Sequence, residues 1–219
     1  MESISAEKYN QLIRSSTILE KDGHGEKVLL TAEGDIVKIF RRKRLLSSAL
    51  LFPYASRFVN NARRLQRLNV PTVSDLRLGH CCDPVRDLVW YRPLPGITLR
   101  QYCMKDGSES IMDILAKFVA SLHSKGVLFR SLHWGNIIVM EDLSLGLIDI
   151  ADMRFYRRSL TVAERVRNFR HMLRYNDDQR FFNSMAEPFW AHYQDASKLS
   201  DTTSQKIKKL LSNHEAQVL

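Results

Sequence analysis

Asn136 and Asp149 stand thirteen residues apart, a spacing that fits two short strands and a turn. The runs 136–140 and 145–150 are apolar, and Glu141-Asp142 between them is a turn signal, so the segment reads as a hairpin. Upstream, Ile111, Leu115, Phe118, Val119 and Leu122 recur at helical spacing. A polar stretch, Arg130-Ser131-Leu132-His133-Trp134-Gly135, joins that helix to the hairpin. The order is therefore helix, polar loop ending in Asn, strand, turn, and strand ending in Asp.

The N-terminal part reads differently. Val28-Leu29-Leu30 and Ile36-Val37-Lys38-Ile39-Phe40 flank Ala32-Glu33-Gly34-Asp35 and predict a hairpin, with a second turn at Lys21-Asp22-Gly23-His24-Gly25-Glu26. A helix is expected over about 57–68, stopping before Val70-Pro71 because the residue before a proline is disfavoured in helix. A further hairpin, 74–82 and 88–91, turns at Asp83-Pro84. The first ninety residues thus predict a small antiparallel sheet with one helix. Arg92-Pro93-Leu94-Pro95-Gly96 is a stiff connector. It divides residues 1–92 from a mainly helical 93–219, an α+β order with two lobes.

Charge and cysteine content narrow the function classes. Thirty-three Lys and Arg against 24 Asp and Glu leave a formal charge of +9, which favours an anionic partner. Nucleic acid is not expected, because no helix-turn-helix, RNP or zinc pattern accompanies that charge. Three cysteines, Cys81, Cys82 and Cys103, have no metal-ligand spacing, and their odd number argues against a disulfide framework. A reducing compartment is the expectation. The first residues carry acids and no apolar run, unlike a secretory signal. The apolar stretch at 48–55 is interrupted by Pro53 and too short to span a bilayer.

The segment from Leu122 to Arg154 resembles the catalytic and metal-binding loops of the protein-kinase-like fold, in the variant used by small-molecule kinases. Within that fold the loop Phe129-Arg130-Ser131-Leu132-His133-Trp134-Gly135-Asn136 and the run Ile148-Asp149-Ile150-Ala151-Asp152-Met153-Arg154 look most like the bacterial lipopolysaccharide core heptose kinases and related toluene-tolerance proteins. The resemblance covers roughly residues 16–175 and implies a bilobal fold with ATP and Mg²⁺ bound between the lobes. Asn136 and Asp149 match the metal ligands, and Lys38 matches the lysine on the nucleotide phosphates. Gly23 and Gly25 lie where a phosphate-covering loop would be, and Trp90, Tyr91 and Arg92 at the adenine-contacting hinge. The implied reaction is phosphoryl transfer to a sugar hydroxyl of lipopolysaccharide core, or another anionic glycan, at the cytoplasmic face of the bacterial inner membrane.

Two departures bear on that reading. Ser131 stands where a catalytic Asp is expected, five residues before Asn136, and a serine hydroxyl is no base at neutral pH. Asn61 stands nearest to the helix Glu that would pair with the lysine, and carries no charge to hold it. His133 and Asp152 are the candidate replacements for the base, alongside Ser131 in the catalytic set. Their plainer roles are loop packing for His133 and an ion pair with Arg154 or Arg130 for Asp152. The alternative function is a pseudokinase that binds nucleotide or a partner and regulates envelope biogenesis. Separately, Arg41-Arg42-Lys43-Arg44 beside Leu45-Leu46 and Ala49-Leu50-Leu51-Phe52, with Arg165, Arg167, Arg170 and Arg174, suits an anionic membrane surface.

Overall fold

The computed structural model describes residues 1–41, 54–105 and 110–215. They form two compact units, Met1–Leu94 and Pro95–Leu219, and the division falls inside the 92–96 connector. The class is α+β, as expected. The lipophilic cluster 45–52 and its neighbours Arg42, Lys43 and Arg44 lie outside the described residues.

Unit 1 contains β1 (Glu2–Ile4), α1 (Ala6–Ser15), β2 (Thr17–Asp22), β3 (Gly25–Leu30), β4 (Ile36–Arg41), α2 (Tyr54–Arg67), β5 (Ser74–Cys82) and β6 (Val85–Arg92). The strands make one six-stranded sheet in the order β1-β5-β6-β4-β3-β2. Strand alternation sends successive side chains to opposite faces. Leu29, Val37, Ile39, Cys81 and Leu88 go to one face and form a core with Ile4 and Tyr9, against which Leu12, Ile13 and Trp90 pack. Phe40 and Tyr91 go to the other, where Phe58 of α2 meets them at ring separations of 6.1 and 5.2 Å.

Two elements correct the expected all-antiparallel sheet with a single helix. β1 pairs with β5 in parallel, Glu2 opposite Gly79 and Ile4 opposite Cys81. α1 then follows, capped by Ser5, whose hydroxyl accepts from the Lys8 amide. Tyr9, Leu12 and Ile13 fall at i, i+3 and i+4, so this short helix has an apolar stripe that covers the sheet face. The other helix begins three residues earlier than expected, at Tyr54 rather than Arg57.

Unit 2 contains β7 (Ile97–Thr98), α3 (Leu99–Lys105), α4 (Ser110–Ser124), β8 (Val127–Phe129), a 3₁₀ turn (Trp134–Asn136), β9 (Ile137–Val139), β10 (Leu145–Leu147), β11 (Met153–Phe155), α5 (Val162–Met172), α6 (Asn176–Ser184), α7 (Ala186–Ser197) and α8 (Asp201–Glu215). Its strands form two small sheets, β10-β9-β7 and β11-β8. α4 packs along α7. Ile111, Leu115, Val119 and Leu122, read from the sequence as one helical face, are fully buried there. Phe169, Phe182, Phe189, Trp190 and Tyr193 add an edge-to-face aromatic cluster behind them. Among the described residues no helix is long and apolar enough to cross a membrane.

Gly126, between α4 and β8, sets how that helix hands over to the strand. Its φ is +72°, and a Cβ there would lie 2.3 Å from the Tyr156 carbonyl oxygen and 2.4 Å from that of Arg158. Both obstacles are backbone, so neither can swing aside. Gly126→Ala is expected to destabilise the protein by at least about 1 kcal/mol, read as a lower denaturation midpoint in urea. An unchanged midpoint would contradict this placement of the strand.

Candidate functional site

The loop from Arg130 to Asn136 is fixed by its backbone. The β8–β11 pairing places Phe129 opposite Met153 and is continued by the Arg130 amide, which donates to the Asp152 carbonyl at 3.1 Å. The β9–β10 pairing places Ile137 opposite Leu147 and is continued by the Ile148 amide, which donates to the Asn136 carbonyl at 3.1 Å. Asn136 and Asp149 therefore sit at the same end of one hairpin, with Asp149 one residue beyond the bonded pair. Asn136 lies in the 3₁₀ turn rather than in a strand, and β10 ends at Leu147, short of Asp149.

The two expected metal ligands differ in character. Asn136 is buried, and its Nδ2 donates to the Ser131 carbonyl at 2.9 Å, which leaves its amide oxygen as the acceptor side of the group. The Ser131 carbonyl also accepts from the His133 amide at 2.8 Å, so two donors hold residue 131 in place through its main chain. Asp149 is exposed and has φ +52°, a left-handed conformation uncommon for a residue with a Cβ. Strain of this sort clusters at ligand clamps and active sites. Among the described residues no group of three or more His, Cys, Asp or Glu side chains is placed to hold a metal. A carboxylate with an amide oxygen does fit Mg²⁺, which keeps waters and takes its other ligands from substrate phosphates.

The candidate replacement bases stand in different surroundings. Asp152 pairs with Arg130 at 3.3 Å. The His133 ring stands edge-on to Tyr175, centroids 5.1 Å apart, and its Nδ1 is enclosed without a hydrogen-bond partner. Burial, helped by the Arg100 charge, holds this imidazole below its ordinary range, so it is neutral near pH 7.

The residue that anchors the loop was not singled out from the sequence. The Asp178 carboxylate, on α6 and fully buried, accepts from Arg100 Nε and Nη2 at 2.7 and 2.9 Å and from the Trp134 amide at 3.2 Å. Arg100, on α3, also lies over the Tyr175 ring at 4.9 Å. Asp178 is 78 residues from Arg100 and 44 from Trp134, so no local pattern announces it.

A second buried network ties the strand before the loop to α5 and α7. Asn168 Nδ2 donates to the Phe129 carbonyl at 2.6 Å, so its Oδ1 accepts from His123 Nε2 at 3.1 Å. His123 Nδ1 is then the acceptor for the Tyr193 hydroxyl at 2.7 Å, and that oxygen accepts from Arg165 Nη1 at 2.6 Å. Burial, with Arg165 nearby, pushes the His123 pKa down to about 3. Arg165 is itself buried and also donates to the Leu160 carbonyl, which corrects its assignment to a membrane-facing basic surface.

In unit 1, Lys38 lies opposite Val89 on the α2 face of the sheet, with its Nζ 5.9 Å from the Phe40 and Phe58 ring centres. Tyr91 shares that face, whereas Trp90 packs with the α1-side core beneath the Arg77 guanidinium. Arg92 donates to the Glu33 carbonyl at 3.0 Å and pairs with Asp35, so it pins the β3–β4 turn. Gly23 and Gly25 flank His24 in a tight β2–β3 turn, Gly25 at φ +110°. Arg41 spans this turn, donating to Asp22 Oδ1 at 2.7 Å and to the Gly25 carbonyl at 2.8 Å. Arg41 is thus engaged within the sheet. Asn61 is buried on α2. Compared with models of known protein families and with curated proteins, the sequence matches none.

Two measurements check the site's supports. The His123 contribution to stability is complete above about pH 6.5, where the unfolded-state histidine is also neutral, and is lost as pH falls toward about 3. His123→Phe is therefore expected to flatten the loss of melting temperature between about pH 6.5 and 4. An equally steep loss would remove His123 from the account. Asp178→Asn is expected to cost on the order of 3 kcal/mol in urea unfolding, because it leaves the Arg100 charge without its partner.

Proposed function

We propose that the chain is a kinase-like phosphotransferase that takes ATP with Mg²⁺ and phosphorylates a sugar hydroxyl of an anionic glycan of the lipopolysaccharide-core type. The observation that carries this reading is the hairpin end at which Asn136, tied to the Ser131 carbonyl, and Asp149, in a left-handed turn, stand next to one another in the fold. The amide oxygen of Asn136 and the Asp149 carboxylate would hold the metal, and Lys38 would meet the nucleotide phosphates. Mg²⁺ would neutralise charge on the phosphates and orient them. On this reading the acceptor hydroxyl has no carboxylate base at residue 131, and positioning with charge stabilisation supplies most of the acceleration. The family resemblance supplies the acceptor class, and the work would be done on the inner face of a bacterial inner membrane.

A specific observation favours a second reading, the pseudokinase in the form that binds nucleotide and regulates envelope biogenesis. With serine at 131 and Asp152 paired to Arg130, neither residue offers a free carboxylate as base, and the Nδ1 of His133 is enclosed.

Thermal shift with and without Mg²⁺ tests what both readings share. ATP is expected to raise the melting temperature only with Mg²⁺, and Asp149→Ala and Asn136→Ala are expected to abolish the rise. No shift at millimolar ATP would overturn both. Transfer of the γ-phosphoryl to a core-glycan acceptor, followed by ³¹P NMR, then separates them: product that disappears in Asp149→Ala is the kinase outcome, and binding without product is the other.

A further inference from the structure

Arg100, His133, Gly135 and Tyr175 are tied together within unit 2 by short distances. The Arg100 guanidinium lies 4.9 Å from the Tyr175 ring centre, and the His133 ring centre lies 5.1 Å from it. A Cβ on Gly135 would stand 3.2 Å from His133 Nδ1 and 3.6 Å from Arg100 Nη1, so both side chains border the space that the glycine leaves empty. The cluster is held from behind. Arg100 Nε and Nη2 are bound by the buried Asp178 carboxylate, which also fixes the Trp134 amide between His133 and Gly135. Nη1 is left out of that pair. Of the two imidazole nitrogens only Nδ1 is enclosed, and Nε2 has no hydrogen-bond partner among the described residues. Tyr175 remains 43% exposed although two neighbours hold its ring, and its hydroxyl has no partner among the described residues either.

We propose that Tyr175 is a platform for a pyranose ring of the acceptor glycan, with Arg100 Nη1 and His133 Nε2 taking the hydroxyls of that sugar. The inference rests on the proposed function for the class of acceptor, and on the cluster for its chemistry. A pyranose has a face of C–H bonds and a rim of hydroxyls. The C–H face suits the negative face of an aromatic ring, and the rim suits polar groups set beside that ring. The Arg100 charge is already matched by Asp178, so Nη1 offers a hydrogen-bond donor rather than a free cation, and a hydroxyl fits it better than a phosphate. A ring that is already locked by its neighbours loses little freedom when a ligand settles on it.

Saturation-transfer NMR on the whole chain without nucleotide tests the platform, using lipid-free core oligosaccharide released from lipopolysaccharide by mild acid. Wild type is expected to bind it. Tyr175→Leu is expected to weaken binding by about tenfold, as loss of an anchoring aromatic does, and Tyr175→Phe by less than about threefold because the ring is kept. Tyr54→Leu is the matched control. Tyr54 is 45% exposed in unit 1 and also carries an arginine, Arg57, over its ring at 5.2 Å. It is expected to change affinity less than about twofold, and circular dichroism checks that all three variants fold. No binding by wild type, equal weakening in Tyr175→Leu and Tyr54→Leu, or equal weakening in Tyr175→Phe and Tyr175→Leu overturns the proposal. So does Tyr175-dependent binding of AMP without binding of the oligosaccharide. Asp149→Ala is expected to keep oligosaccharide binding. Absence of the ATP·Mg²⁺ shift with Tyr175-dependent oligosaccharide binding intact removes the kinase reading alone, and the converse removes the platform alone.

Discussion

A carboxylate with no exposed surface has to be met by donors, and the arrangement of unit 2 around Asp178 follows from that requirement. Arg100 supplies a two-point guanidinium contact from α3, and the Trp134 amide supplies a third bond from the 3₁₀ turn. Each donor belongs to an element far away in sequence, so α3, the turn and α6 are held together by one charge. Trp134 is two residues from Asn136, and its buried indole leaves the turn little freedom. The position of the candidate metal ligand is thus a consequence of a buried ion pair. The His123–Asn168–Phe129 chain of hydrogen bonds constrains the other end of the same stretch.

Unit 1 solves a different problem with sheet alternation. The α1-side face is apolar along β4, where Val37 and Ile39 are buried. On the α2-side face the same strand reads Ile36, Lys38, Phe40, and the lysine breaks an otherwise apolar run. A solvated surface strand would have let a lysine stand among polar neighbours. Here its ammonium group lies near two aromatic rings, where attraction to the ring faces offsets part of the lost hydration.

Much of this was readable because it is local. The β3–β4 and β5–β6 hairpins are signalled by turns between apolar runs, and α4 by its apolar spacing, so periodicity alone placed them. The Asn136–Asp149 interval was legible for the same reason, since two short strands and a turn fill it. What escaped was either short or non-local. α1 spans only ten residues with three large apolar side chains, and β1 pairs with a strand more than seventy residues away. Asp178 looks like any acid in a first helical turn until Arg100 and Trp134 are brought to it. Arg165 was read as one of four basic residues of a surface stripe. Only the packing of α7 shows that it serves Tyr193 instead.

Residue 131 is used here through its backbone. Its carbonyl accepts from Asn136 and from the His133 amide, and any residue at that position would provide the same acceptor. On the proposed reading, serine in place of a carboxylate would leave the loop, and the placing of Asn136, undisturbed. What would change on that reading is the chemistry offered to the acceptor hydroxyl, for which general-base catalysis is worth about 10²–10⁴-fold. Binding energy from a remote part of a substrate can be spent on orienting the reacting group. On the proposed reading, the serine at residue 131 leaves positioning to stand in for proton abstraction.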